Sequence, residues 1–230
     1  MIQRIIKGMN SIEWAKRNKK SIVADIVGDA VAPSGDKTPV AIFAAGIPGA
    51  GKTEFLNRLF QNTQNIVRVD MDEIVKLFPE YSPENYYKFR GAAAIIVDEV
   101  VAYCRKHRLD FVLDGTFGSK RATDNIRSAL KRHSVTIYYV WKEPTLAWRH
   151  TKDRQIVEKR GIEKEGLVES CINVPLNLQE ATSKFQDKIS IVAIRKNPNS
   201  DEFQATQNTH QIDKLVEVNY TKSDLERTLE

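Results

Sequence analysis

At 230 residues, with 41% apolar and 28% charged side chains, the chain has the make-up of a soluble globular protein able to bury a sizeable core, which sets aside disordered and fibrous classes. No apolar run approaches a membrane span, Met1 to Lys7 is too short for a secretory signal, and Cys104 and Cys171 form no C-x-x-C pair; a cytoplasmic setting without disulfide framework or zinc site is expected. The net charge of +5, from 35 basic and 30 acidic residues spread along the chain, suits anionic ligands without singling out nucleic acid.

Residues 11 to 30 show near-helical spacing of Ile12, Ala15, Ile22, Val23, Ile26 and Val27, with Gly28 as a stop and a basic cluster at 16 to 20 read as a solvated face. A turn-rich linker, 32 to 39, separates this helix from the rest, so residues 1–37 are expected as an N-terminal helical appendage and 38–230 as the main domain. The apolar run 39 to 45 predicts a strand, which leads into Gly46-Ile47-Pro48-Gly49-Ala50-Gly51-Lys52-Thr53 and then a helix over 54 to 60. A second short strand, 66 to 69, ends in Asp70-Met71-Asp72, and a short helix follows to Phe78, closed by Pro79. Ser82-Pro83 opens a long helix running to about His107. Strand 111 to 113 delivers Asp114-Gly115-Thr116, a helix spans about 121 to 132, and strand 135 to 140 follows. Arginine-rich helical and irregular segments fill 144 to 188, then come a fifth strand at 189 to 194, a polar turn through 197 to 200 and a terminal helix from Ser223. Alternating helix and apolar strand predicts an α/β architecture, a central mostly parallel five-stranded sheet flanked by helices, whose ligands gather beyond the carboxyl ends of the strands.

The octapeptide Gly46 to Thr53 is a G-x-x-x-x-G-K-T phosphate loop in the strand–loop–helix context such a loop requires. Triphosphate oxygens need several donors converging on one concave surface. A glycine-rich turn supplies them as backbone N–H groups, and the helix N-terminus adds its positive dipole end. Lys52 is expected to reach the β- and γ-phosphates and Thr53 to put its hydroxyl on Mg²⁺, with ATP as phosphoryl donor. An aspartate at the next strand's end lies near the γ-phosphate, where it can orient and deprotonate an acceptor alcohol. Asp72 is the candidate base, with an N-cap as its other reading, and Asp70 is a structural or metal-shell acid. Phe111 to Asp114 has the shape of a Walker B strand, delivering Asp114 to the Mg²⁺ water shell or the substrate. Arg149, Arg154 and Arg160 lie in the interval where small-molecule kinases keep a mobile lid, and arginine there can clamp the transferring phosphoryl. The four histidines form no metal-like cluster, and Tyr81, Tyr86, Tyr87 and Phe89 read either as lining of an acceptor pocket or as packing.

With those motifs in hand, residues 38 to 200 resemble the zeta-toxin family of P-loop kinases. The likeness rests on G-x-P-G-A-G-K-T at 46 to 53, V-D-M-D at 69 to 72, a long helix before L-D-G-T at 113 to 116, and D-R at 153 to 154 with K-R-G at 159 to 161. The resemblance implies a P-loop NTPase fold with an arginine-bearing lid. It implies an ATP-dependent kinase that phosphorylates the 3′-hydroxyl of the amino sugar in UDP-N-acetylglucosamine and so starves cell-wall synthesis, held in check by an antitoxin protein. By motif it makes Asp72 the base, Lys52 and Thr53 the nucleotide and Mg²⁺ contacts, and Arg154 and Arg160 the phosphate clamps. It places Asp114, Thr116 and Asp98 on the acceptor side with Asp72, and leaves Arg121 or Lys120 for an arginine that the family carries sooner after Thr116; Asp70, one strand end away, is counted with this acceptor-side set. Asp114 stands where the family has a glutamate, and the segment after Thr116 differs, so another UDP-sugar or a dinucleotide is the alternative acceptor. Two further readings are a housekeeping small-molecule kinase and, from another class, a nucleotide-dependent switch; no N-K-x-D guanine motif is present. The N-terminal helix and its basic cluster are candidates for the docking of a partner protein.

Overall fold

The structure is a computed structural model that describes residues 10–159, 161–196, 203–207 and 220–229. Helix α1 (Ser11–Val27) begins where the Asn10 side chain accepts from the Glu13 N–H and ends at Gly28, whose φ of 53° lets its own N–H close onto the Ala24 carbonyl. The chain then alternates: β1 (Val40–Ala45), α2 (Lys52–Leu59), β2 (Val67–Asp70), α3 (Met71–Val75), a 3₁₀ turn (Pro83–Lys88), α4 (Arg90–His107), β3 (Phe111–Asp114), α5 (Ala122–Ala129) and β4 (Ser134–Trp141). Next come α6 (Pro144–Glu158), α7 (Lys164–Phe185), a short 3₁₀ turn (Gln186–Lys188), β5 (Ile189–Lys196), β6 (Phe203–Gln207) and α8 (Lys222–Thr228).

The strands form one sheet in the order β2-β3-β1-β4-β5-β6. All pairings are parallel except β5 with β6. The central strand β1 lies between β3 and β4, which is why its sequence is a continuous apolar run and not an alternating one. Its side chains divide between two cores by the period of two. Ala41, Phe43 and Ala45 pack with Phe111, Ile137, Ile96 and the buried face of α1, whereas Ile42 and Ala44 pack with Leu56, Val112, Val140 and Leu225. Helix α1 buries Ala15, Ile22, Val23 and Val27 in the first of these cores.

Two expectations need correction. The sheet has six strands and not five: β6, antiparallel at the edge, is five residues long with only Phe203 and Ala205 apolar, too brief a pattern to announce it. The helix expected from Pro83 to His107 is broken at Phe89, with a 3₁₀ turn before it and α4 after it. Phe89 is buried against Phe78 at 5.2 Å and Tyr81 at 6.4 Å, and seating that ring reorients the chain between the two pieces. The expected turn through 197 to 200 lies outside the described residues. Among the described residues no helix is long and apolar enough to cross a membrane.

Candidate active site

The loop from Gly46 to Gly51 leaves the carboxyl end of β1 and passes into α2, so its backbone wraps the N-terminus of a helix. Two of its glycines are sterically required. A Cβ on Gly46 would stand 2.3 Å from the Val140 carbonyl oxygen, and one on Gly49 would stand 2.2 Å from the Ala147 carbonyl oxygen, both with positive φ. The Lys52 ammonium arches back over the loop and donates to the Gly46 and Ile47 carbonyls at 2.9 Å each. Burial pulls the Lys52 amine down to about 8. The charges of Asp114 and Asp72 work against that fall, while the charge of Arg154 adds to it. A lysine, two aspartates and the lid arginine are thus within electrostatic reach of one another.

The carboxylates come from two adjacent strand ends. Asp70 closes β2, and its extended backbone (φ −118°, ψ 115°) lets its side chain accept from the Asp72 N–H at 2.8 Å. The cap of α3 is therefore Asp70, not Asp72. The chain is still extended at 70, whereas Asp72 is already inside the first turn. With the cap filled, Asp72 Oδ1 accepts instead from the Tyr86 hydroxyl at 2.6 Å. Asp70 is raised to about 6, first by burial and then by the charges of Asp114 and Asp72, partly offset by the hydrogen bond it accepts from the Asp72 N–H. Asp114, 8% exposed, is also raised by burial, against the Thr53 hydroxyl, Lys52 and Arg68.

Thr53 donates its hydroxyl to Asp114 Oδ2 at 3.0 Å, so the phosphate loop and the end of β3 present one hydroxyl and one carboxylate side by side. That pair fits Mg²⁺, a hard ion that takes one or two protein oxygens and otherwise keeps water and substrate phosphates. Among the described residues no group of three His, Cys, Asp or Glu side chains makes an all-protein metal cage.

The residues expected on the acceptor side join in another way. The Thr116 carbonyl accepts from the Gly46 N–H at 3.0 Å, tying the loop after β3 to the start of the phosphate loop, and the Thr116 hydroxyl accepts from the Gly118 N–H at 3.2 Å. Arg121 and Asp98 meet in an ion pair of 2.8 Å across α4 and the start of α5, both side chains roughly half exposed. In the lid, Arg154 grips Glu158 one turn on through two hydrogen bonds, 2.9 and 3.2 Å. Burial works to raise the Glu143 carboxyl, but the hydrogen bonds from Thr145 and Leu146, and after them the charge of Arg149 on the same helix α6, hold it below its ordinary value. Arg160 falls outside the described residues.

Two residues at the site, Arg68 and Asn177, escaped the sequence reading. Arg68 lies 3.6 Å from Asp114 and bonds Asn57 of α2; its signal is the alternation in Val-Arg-Val-Asp, which puts Arg68 and Asp70 on opposite sides from the buried valines. Asn177 of α7 donates to the Phe117 and Ser119 carbonyls at 2.7 and 3.0 Å, clamping the loop after Thr116, where Phe117 has a φ of 64°. No local signal marks it. Tyr86 was legible only as one of several aromatics. Its companions divide: Phe89 packs on Phe78 and receives Tyr81 on its edge, and Tyr87 is 69% exposed.

A parallel sheet, a glycine-rich loop on its central strand, and carboxylates at the ends of the two strands on one side define the class as a P-loop protein with a kinase-type arrangement. The family model described as Zeta toxin matches residues 24–209, and the chain belongs to the zeta toxin family. Among solved structures it is similar to a chain of the PezAT chromosomal toxin–antitoxin system of Streptococcus pneumoniae (16% identity, TM-score 0.64), covering 93% of this chain and 92% of that one. It is also similar to a chain of the AvrRxo1-ORF1:-ORF2 complex (12% identity, TM-score 0.67; 96% and 75% covered) and of the same pair with ATP (12%, 0.60; 95% and 70%). At these identities the likeness is one of fold. No curated protein sequence matches the chain.

Proposed function

We propose that the protein is an ATP-dependent phosphotransferase whose acceptor is a hydroxyl of a nucleotide sugar, the 3′-hydroxyl of UDP-N-acetylglucosamine, and that it acts as the toxin of a toxin–antitoxin pair by withdrawing a cell-wall precursor. Membership of the zeta toxin family supports the class. The observation that carries the chemistry is geometric: the Lys52 ammonium lies over the loop backbone while the neighbouring Thr53 hydroxyl meets the Asp114 carboxylate at the end of the adjacent strand, with the charges of Asp72 and Arg154 also acting on Lys52.

In this reading the phosphate loop takes the triphosphate, and Lys52 exchanges its two carbonyl partners for β- and γ-phosphate oxygens. Thr53 and Asp114 hold Mg²⁺, which neutralises phosphate charge when bound. Asp72 accepts the proton of the acceptor hydroxyl; the freed oxygen attacks the γ-phosphorus, the bond from that phosphorus to the β–γ bridging oxygen breaks, and ADP leaves with the electron pair. Arg154, released from Glu158, is placed to meet the charge on the transferring group, a part that in related chemistry is worth about a thousandfold in rate. Asp70, the Asp98–Arg121 pair and Thr116 belong to the acceptor side. The resemblance of the fold to chains from a toxin–antitoxin system supports a neutralising protein partner.

The deciding experiment incubates the purified protein with ATP, Mg²⁺ and UDP-N-acetylglucosamine and follows the sugar nucleotide by mass spectrometry, with Asp72→Ala as control. One added phosphate, absent with the variant, is the expected result. An untouched sugar nucleotide beside phosphorylation of another metabolite moves the acceptor to that molecule, and no phosphorylation of any metabolite in a cell extract would sink the kinase reading.

A further inference from the structure

The torsion that swings an aspartate carboxylate about its Cβ–Cγ bond is broad, so a carboxylate held by nothing presents either oxygen over a wide arc. A base must bring one oxygen within about 2.6–3.2 Å of the acceptor hydroxyl with its lone pair aimed. The Tyr86 hydroxyl donates to Asp72 Oδ1 at 2.6 Å, within the short range of bonds to ionised carboxylates.

The phenol reaches Asp72 from a separate and well-braced element. Pro83 opens the 3₁₀ turn, the Ser82 N–H donates to Asn85 Oδ1 at 2.8 Å, and Asn85 Nδ2 donates to the Glu80 carbonyl at 2.8 Å. At its far end the Tyr86 carbonyl accepts from the N–H of Phe89, which is itself seated on Phe78. The ring of Tyr86 packs partly against the main core while its polar tip meets the carboxylate. We propose that Tyr86 is a positioning residue: its hydroxyl fixes the rotation of the Asp72 carboxylate, so that the base meets the acceptor hydroxyl in one orientation. The inference rests on the reading of Asp72 as the base.

Tyr86→Phe keeps the ring and removes the donor, and it separates this role from packing. Phosphate transfer from ATP to UDP-N-acetylglucosamine is measured for the wild type, Tyr86→Phe and Tyr81→Phe, together with thermal midpoints. Positioning predicts that kcat falls about tenfold to a hundredfold in Tyr86→Phe, with the KM for ATP and the thermal midpoint unchanged, and that Tyr81→Phe keeps the wild-type kcat. In parallel, protein labelled with ¹³C at the aspartate carboxyls reports the Asp72 resonance directly, assigned by its loss in Asp72→Asn; it is expected to move in Tyr86→Phe and stay in Tyr81→Phe. A wild-type kcat in Tyr86→Phe, or an unmoved Asp72 resonance, overturns the inference. If the wild type itself passes no phosphate to the sugar nucleotide, the acceptor reading falls, and the carboxyl resonance still decides whether the phenol holds Asp72.

Discussion

Asp70 and Asp114 are register partners at the carboxyl ends of the adjacent parallel strands β2 and β3. Burial first, and then the negative charge that Asp72 adds two residues on, raises both carboxyls above the ordinary aspartate value.

Asp70 bears a folding cost that depends on pH. Its carboxyl is raised from 3.8 to about 6 in the folded protein. Below the unfolded value the group is neutral in both states and costs nothing; as pH rises from 3.8 towards 6 the unfolded carboxyl ionises while the folded one stays protonated, so the penalty builds across that window and is complete once pH passes 6. Asp70→Asn keeps an acceptor for the Asp72 N–H. The variant is expected to be more stable by about 1–3 kcal/mol at pH 7.5, with the gain gone by about pH 3, below the unfolded value. Urea denaturation at the two pH values measures this; an equal gain at both would refute the charge account.

Lys52 should register nucleotide as a proton count. With its amine at about 8 in the free protein, part of the population is neutral at pH 8.5, and phosphate charge draws the proton back. Titration calorimetry in buffers of different ionisation enthalpy is expected to show proton uptake on ATP binding at pH 8.5 and much less at pH 7. Lys52→Met should abolish the difference.

Asp114 is tied to Thr53, and its charge also holds the Lys52 amine up. Asp114→Asn leaves an acceptor for the Thr53 hydroxyl but removes the charge. The Mg²⁺ concentration for half-maximal activity should rise about tenfold or more, and the pH at which Lys52 loses its proton should fall. Unchanged Mg²⁺ dependence would take Asp114 out of the metal's surroundings.

Gly49 has no room for a side chain, because its φ is 79° and a Cβ would lie 2.2 Å from the Ala147 carbonyl oxygen. Gly49→Ala must push α6 away from the loop or distort the loop itself. A loss of about 2–4 kcal/mol is expected from overpacking together with the left-handed backbone. Gly35→Ala, at a similar φ of 66° but with nothing within 4 Å, should lose only the backbone part. Thermal denaturation of the two variants separates the terms.

Much of the sheet and the whole phosphate loop could be read without coordinates, because both are local. Val40 to Ala45 is apolar throughout since the strand is covered on both faces, and Gly46, Gly49, Lys52 and Thr53 lie within one turn whose spacing is itself the requirement for binding phosphate. The polar edge strand β6 and the break at Phe89 were not legible. The first is only five residues with one large apolar side chain, and the second depends on Phe78 and Tyr81 being there to receive a ring.

By itself the sequence determined the class of protein, the glycine-rich loop between β1 and α2, and the strand ends from which carboxylates project, since each of these is written in spacing along a single element. Only the tertiary structure decided which aspartate caps α3 and which is held by Tyr86, that Asp70 lies beside Asp114, that Arg68 and Thr53 share Asp114, and that Asn177 braces the loop after Thr116. The physical reason is that hydrogen bonds and charge couplings act through distance in space. Tyr86 and Asp72 are 14 positions apart, and Asn177 and Phe117 are 60 apart, and no periodicity in the chain encodes such meetings.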